Sequence, residues 1–305
     1  MPNKRSHLML CALAASVLLS SCGPTPPEED TATVDTLSVV ASFYPMYDFA
    51  CKIGGDKVSV TNMVPTGTEP HDWEPSAADM VTLEQADLFF YNGAGLEHWV
   101  EDVLSAVSNP NLTAVEVSNG IPLLDSEDGA DPHVWLSPLY AKQELLTIKD
   151  ALSNADPDNA GYYEDNYTRW SEACDQLDEA FRQGLSDLKS RDVVVSHAAF
   201  GYLCKAYQLN EVAIEGLSPD SEPDPARMAE IQDFVTEHQV RVIFSEELLS
   251  PKVAQTIAAA TGAVVETLNP LEGLTQEQLD AGEDYFSIMR ENLDTLRFAL
   301  GGDEV

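Results

Sequence analysis

The sequence predicts an α/β protein of two parallel-sheet lobes joined by one long backbone helix, with its binding site in the cleft between the lobes. Three observations predict it. Short β-rich runs alternate with amphipathic stretches from Leu37 to Val117, the alternation gives way to two long helical stretches, and it resumes from Asp192 to Leu300. At 305 residues the chain can bury two cores, taking roughly 100–200 residues per domain. The boundaries read as a leader at 1–21, a tether at 22–36, an N-terminal lobe at 37–154, a linking helix at 155–190 and a C-terminal lobe at 191–305.

The leader comes first. Lys4 and Arg5 precede an apolar run from Leu8 to Leu19, which is the length of an export signal and short of the ~20 residues that span a bilayer. The run ends in Leu19-Ser20-Ser21-Cys22, which resembles the lipobox of bacterial lipoproteins. That resemblance implies a lipidated Cys22 at the new N-terminus, anchoring an extracytoplasmic protein to a membrane, on the outer face or in the periplasm. Behind it, Gly23 to Asp30 is rich in proline and acid, as suits an extended, solvated tether.

In the first lobe, Leu37 to Ser42, Val58 to Val64, Asp87 to Tyr91 and Thr113 to Val117 read as strands. Met46 to Ile53, Ser76 to Ala86 and Leu96 to Val107 have helical spacing, and Gly54-Gly55 closes the first of them. Ser137 to Asn154 reads as a helix. After the turn at Asp156-Pro157, Asn159 to about Ser190 has no proline and only Gly161 and Gly184, a long run for one globular helix. The second lobe offers strands at Asp192 to Ser196, Val212 to Ile214, Val240 to Phe244 and Ala263 to Leu268, with helices at Ala226 to His238, Pro251 to Ala260 and Tyr285 to Leu300. No internal repeat is evident. Ligands in such folds sit at the carboxyl ends of strands and in crevices between lobes.

Charge narrows the ligand. With 52 Asp and Glu against 16 Lys and Arg, the net charge of −36 repels a polyphosphate backbone, which excludes nucleic acid. A hydrophobic content of 44% excludes a disordered acidic tail and leaves cations as the natural ligands. Beyond Cys11 and Cys22, the cysteines Cys51, Cys174 and Cys204 have no C-x-x-C spacing and read as buried small hydrophobes, with one disulfide among them left open.

Three histidines follow predicted strands. His71 lies in Glu69-Pro70-His71-Asp72-Trp73-Glu74-Pro75, His133 in Asp131-Pro132-His133-Val134-Trp135, and His197 ends the run Val193-Val194-Val195-Ser196. Proline fixes the backbone before the first two, and an aromatic residue two positions later can wall off water. Imidazole nitrogen suits zinc and other late first-row ions, and three such groups with one oxygen make a tetrahedral site. His98, beside Glu97 and Trp99, and His238, near a helix C-terminus, read as surface or dipole residues.

These motifs, with Ser42-Phe43-Tyr44-Pro45-Met46-Tyr47-Asp48-Phe49-Ala50, Gly216-Leu217-Ser218-Pro219-Asp220-Ser221-Glu222-Pro223 and Asn269-Pro270-Leu271-Glu272-Gly273-Leu274, resemble the zinc and manganese receptors of bacterial ABC importers, the cluster 9 (A-I) solute-binding lipoproteins. The similarity runs from Leu37 to Leu300. It implies a monomer of two lobes bridged by one helix, a buried metal between them, little hinge motion, and delivery to a membrane permease. The third ligand slot is histidine in zinc receptors and commonly glutamate in manganese ones, so His197 favours Zn2+ over Mn2+ as the transported ion. The fourth slot departs from the common pattern. Many relatives have aspartate where this chain has Asn269, and some zinc-type relatives use a glutamate three residues later, here Glu272. Glu272 is the expected fourth ligand, with Asn269 or a water, Glu69 and Glu246 as alternatives. Zinc-type relatives often carry a histidine-rich loop where this chain has Asp125 to Asp131, which holds no histidine and is expected to be a solvated loop. Gly216 to Pro225 is expected to be structural.

Two rival functions are weighed against the receptor. A metallohydrolase would use three histidines and an open fourth position, but no H-E-x-x-H or comparable general-base motif occurs, so no enzymatic activity is expected. An adhesin-like metal-binding lipoprotein has no sequence feature that separates it from a receptor.

Overall fold

Val39, Val40 and Ala41 are fully buried because β1 (Leu37–Ala41) is an inner strand of a parallel sheet with helices on both faces. The computed structural model describes residues 36–126, 129–219 and 223–301. The leader, Cys22 and the tether up to residue 35 lie outside the described residues, as do 127–128 of the acidic loop and 220–222 of the Gly216 to Pro225 segment.

After β1 come α1 (Tyr44–Gly54), β2 (Val58–Asn62), α2 (Ala77–Leu83), β3 (Leu88–Tyr91), α3 (Val100–Ala106) and β4 (Thr113–Glu116). The strand order is β2-β1-β3-β4, all parallel, with β1 paired to both β2 and β3. Pro45 in the first turn starts α1, and Gly55 at φ 52° ends it. A capping box between Ser76 and Asp79 starts α2. The spacing predicts a helix from Leu96, yet α3 begins at Val100. The Glu97 carboxylate instead accepts the Ser42 hydroxyl at 2.6 Å and the backbone N–H groups of Asn92 and Gly93 at 2.8 and 3.0 Å, organising a loop with positive φ at Gly93, Ala94 and Gly95.

A short antiparallel pair, β5 (Asp125–Ser126) and β6 (Gly129–Ala130), leads through a 3-10 turn at Val134–Leu136 into α4 (Pro138–Ala155) and α5 (Ala160–Gly184). The long helix α5 has 25 residues, roughly 37 Å at about 1.5 Å per residue. It packs on α4 and α1 of the first lobe and on the final helix of the second. It stops at Gly184, short of the expected Ser190. A Cβ there would come 3.0 Å from Leu293, so glycine permits the close approach, and the chain then turns to donate the Lys189 N–H to Leu300 O at 2.9 Å.

The second lobe runs β7 (Asp192–Val195), α6 (Gly201–Tyr207), β8 (Asn210–Ala213), α7 (Pro225–Glu237), β9 (Val242–Ser245), α8 (Lys252–Thr261), β10 (Val264–Thr267), α9 (Gln276–Ala281) and α10 (Tyr285–Gly301). Its order, β10-β9-β7-β8, repeats that of the first lobe: the first strand lies between the second and third, and the fourth flanks the third. The short helices α6 and α9 have no counterpart among the helices expected from sequence. Each lobe therefore has a crevice between its first and third strands, where the connections diverge to opposite sides.

One hydrophobic cluster runs through both lobes, from Phe43 and Trp135 through Phe181 to Phe244, Leu271 and Tyr285. Trp135 ties them: its ring meets Phe43 edge-on at 5.0 Å, its Nε1–H donates to Pro270 O at 2.8 Å, and its own carbonyl accepts from the Tyr285 hydroxyl at 2.7 Å. Cys51, Cys174 and Cys204 are all free thiols, the last two buried. Among the described residues no helix is long and apolar enough to cross a membrane.

Candidate metal centre

Each histidine of the centre arrives on a different loop. His71 follows β2 and precedes α2, His133 follows β6 and opens the 3-10 turn, and His197 lies two residues past β7, at the crevice between β7 and β9. Glu272 sits beyond β10 in a turn where Leu271 has φ 60°.

The three rings converge on one carboxylate oxygen. Oε1 of Glu272 is 3.1 Å from His71 Nε2, 3.1 Å from His133 Nε2 and 3.2 Å from His197 Nε2. The Nε2 of His133 is also 3.3 Å from that of His71 and 3.4 Å from that of His197. One donor atom from each of the four residues lies within 4.8 Å of the others. Their exposure is 0% for His133 and His197 and 3% for Glu272, while the His71 side chain keeps 8%.

Carboxylates hold the histidines from behind. The Asp131 Oδ1 accepts both the His133 backbone N–H at 3.0 Å and its Nδ1 at 2.8 Å. Glu246, just beyond β9, does the same for His197, at 3.2 and 2.8 Å. With Nδ1 bonded to its carboxylate, each ring is held with its Nε2 directed at Glu272. Glu69 accepts the backbone N–H groups of His71, at 2.9 Å, and of Asp72, and its Oε1 stands 4.0 Å from the His71 Nε2.

The electrostatics follow from this packing. Burial opposes charge on the His133 ring, but Asp131 and Glu272 more than offset it and hold the ring above its ordinary range. His197 is likewise opposed by burial and is held well above that range by Glu246 and Glu272. Burial also disfavours the Glu272 anion, yet the charge of His197 and the bonds from all three rings keep it well below the usual carboxylate range. The centre is thus a compact anion-and-imidazole cluster that concentrates positive charge on itself, as protons or as a cation.

The other sequence candidates lie elsewhere. The Asn269 Oδ1 accepts the Leu271 N–H at 2.7 Å and its Nδ2 donates to Glu247 at 2.8 Å, so the amide builds the turn beneath Glu272. His98 is largely exposed beside Glu74, and His238 caps α7 and meets Asp192 at 3.0 Å. Asp131 and Glu246, the Nδ1 partners of His133 and His197, are not among the partners expected from sequence. The Asp-Pro-His order was a readable signal for the first, and none existed for the second. Above His71 a cavity of about 680 Å³ opens between the lobes, walled by Gly95, Leu96, Ala130, Pro132, Gly216 and Leu217.

This frame of two like lobes around a three-histidine, one-glutamate cluster has counterparts. Residues 39–299 match the family described as ZnuA, the periplasmic zinc-uptake complex component A. The chain belongs to the ZnuA family. It is 38% identical over 313 residues to the high-affinity zinc uptake system protein ZnuA of Bacillus subtilis (strain 168), covering 97% of this chain and 98% of that one. It is 36% identical to the zinc-binding lipoprotein AdcA of Streptococcus pneumoniae (strain ATCC BAA-255 / R6) over 96% of this chain, but spans only 60% of AdcA. The crystal structure of the Zn(II)-bound ZnuA-like domain of S. pneumoniae AdcA superposes with a TM-score of 0.79 at 38% identity, covering 87% of this chain and 99% of the domain. The laminin-binding protein Lmb of Streptococcus agalactiae, described as having adhesin and metal-transporting activity, superposes with a TM-score of 0.81 at 35% identity, covering 87% of this chain and 99% of its own.

Proposed function

We propose that the chain is an extracytoplasmic receptor that captures Zn2+ with His71, His133, His197 and Glu272 and delivers it to the permease of an ABC importer. The observation that carries this reading is the convergence of three imidazole Nε2 atoms on the one Glu272 oxygen, at 3.1, 3.1 and 3.2 Å. Three nitrogens and one carboxylate oxygen form a tetrahedral set suited to zinc, whereas Mn2+ prefers oxygen-rich, higher coordination. Membership of a zinc-uptake family supports the same ion and the permease as partner. Four protein ligands fill a tetrahedral shell and leave no position for an activated water, which supports cargo binding over hydrolysis. Cys22, in its lipobox-like setting, is the proposed membrane anchor.

Protein purified free of metal and then exposed to zinc should hold one Zn2+ per chain by elemental analysis. Glu272→Gln should bind it more weakly, because the substitution removes the only anionic donor of the four. A parent protein that retains no zinc, or a Glu272→Gln variant with parental affinity, would refute the assignment.

A further inference from the structure

Among the described residues, Glu69 is the one carboxylate besides Glu272 within 4.0 Å of any of the three Nε2 atoms. It is excluded from the four-residue cluster, since it reaches His71 alone. Its Oε1 is aimed by the His71 backbone N–H at 2.9 Å. No lysine or arginine occurs between Lys57 and Lys142 to compete for it from the same part of the chain. His71, the ring beside it, is also the one member of the cluster that lines the cavity between the lobes.

Resting on the zinc reading above, we infer that Glu69 is an exchange ligand, taking hold of the ion as it passes His71 on the way in or out and letting go once the four-residue set has closed. The distances carry the inference. With metal–nitrogen and metal–oxygen bonds of about 2.0–2.2 Å, two tetrahedral donors on one ion stand roughly 3.3–3.5 Å apart. At 4.0 Å from Nε2, Glu69 Oε1 is just too far to share the ion with His71 in the closed site and comes within reach after a small displacement of the ion or ring. A four-donor site cannot lose its ion in one step without exposing a nearly bare dication in a buried cleft, where an unpaired charge is costly. A carboxylate standing beside the most exposed ring replaces the first broken bond.

An exchange ligand lowers the barrier in both directions and leaves the equilibrium where it was. The full chain and its Glu69→Gln variant, whose amide oxygen can still accept the His71 N–H, should be compared by stopped-flow, using a zinc indicator for association and excess chelator for dissociation. Both rate constants should fall about tenfold in the variant while Kd, their ratio, stays within roughly threefold. Unchanged rates would overturn the inference, and so would a weaker Kd with faster release, which would make Glu69 a ligand of the closed site. Slower association alone, vanishing as salt is raised, would overturn it too by reducing Glu69 to long-range steering. These results leave the receptor reading intact, whereas a parent chain that binds no zinc would end both.

Discussion

His133 and His197 are fully buried, and each rests its Nδ1 on a carboxylate at 2.8 Å, whereas His71 lies on the loop before α2 with only its backbone tied to Glu69. The first pair cannot turn without breaking the Nδ1 bond at the ring. His71 can swing its ring and keep its main-chain bond. On the proposed zinc reading the same chemical group plays two parts: two anchored rings would set the position of the ion and hold it, and the third, which lines the cavity, would admit and release it. Preorganised donors favour retention because their ordering cost is met during folding rather than during binding.

The most direct way to break this contrast is to remove the rings singly. Zinc binding of roughly 10–16 kcal/mol shared over four donors gives about 2.5–4 kcal/mol each, on the order of 10²–10³-fold in affinity. His133→Ala and His197→Ala should lose at least that much, since each also strands a buried carboxylate. His71→Ala should lose about tenfold less, because its absence leaves no Nδ1 partner unpaired and water can reach the vacated position. Chelator competition on the three variants measures the spread, and equal losses would abolish the distinction.

Acidity probes the same pair without mutation. Zinc requires neutral imidazoles, while in the ligand-free protein carboxylates overcome the effect of burial and hold His133 above, and His197 well above, the ordinary value of 6.5. The ligand-free protein therefore carries protons that the loaded protein has shed, and raising the pH favours loading. Glu272, held well below its usual range, is already an anion and adds no proton to the exchange. Affinity should keep climbing with pH above 6.5, with a slope approaching two protons per ion, or up to ~100-fold per pH unit. The sequence alone places that loss of affinity at about 6.5, the value of an unperturbed imidazole. A profile already flat at pH 7 would mean that Asp131 and Glu246 do not hold their rings as the distances indicate.

How much of this was legible beforehand follows from what each feature depends on. His71 and His133 stand in proline-fixed local motifs, and His197 ends a valine run, so short stretches of sequence reveal all three. Glu272 is legible only through the family resemblance, because a glutamate in a loop carries no signal of its own. Glu246 lies 49 residues from His197 and meets it only because β9 pairs with β7 although β8 intervenes in the chain. That strand order is a tertiary fact which no spacing encodes. The late start of α3 was hidden for a similar reason, since Glu97 looks like a helical residue until the chain delivers Ser42 and Asn92 to its carboxylate. The shared topology of the two lobes was invisible too, because it is kept in strand order without a repeat in sequence.

The smallest expected effect on zinc belongs to Asn269, which stands where many relatives have an aspartate ligand. Its side chain bonds the Leu271 N–H and Glu247, and its backbone N–H and carbonyl are both taken by the Asn292 amide, at 2.9 and 2.7 Å. These bonds hold Leu271 at φ 60°, a left-handed conformation that costs a leucine roughly 1–2 kcal/mol and that sets Glu272 above the three rings. Asn269→Ala deletes two side-chain bonds in a buried turn and should lower stability by about 1–3 kcal/mol, read from denaturant unfolding of the ligand-free protein. Zinc affinity should fall by less than about tenfold, since the amide acts on the ion only by steadying the glutamate that reaches it. An Asn269→Ala variant that unfolds like the parent yet loses zinc as severely as Glu272→Gln would instead put the amide at the ion. The fixed wall of the site would then have to include the Asn269 turn as well as the two anchored rings.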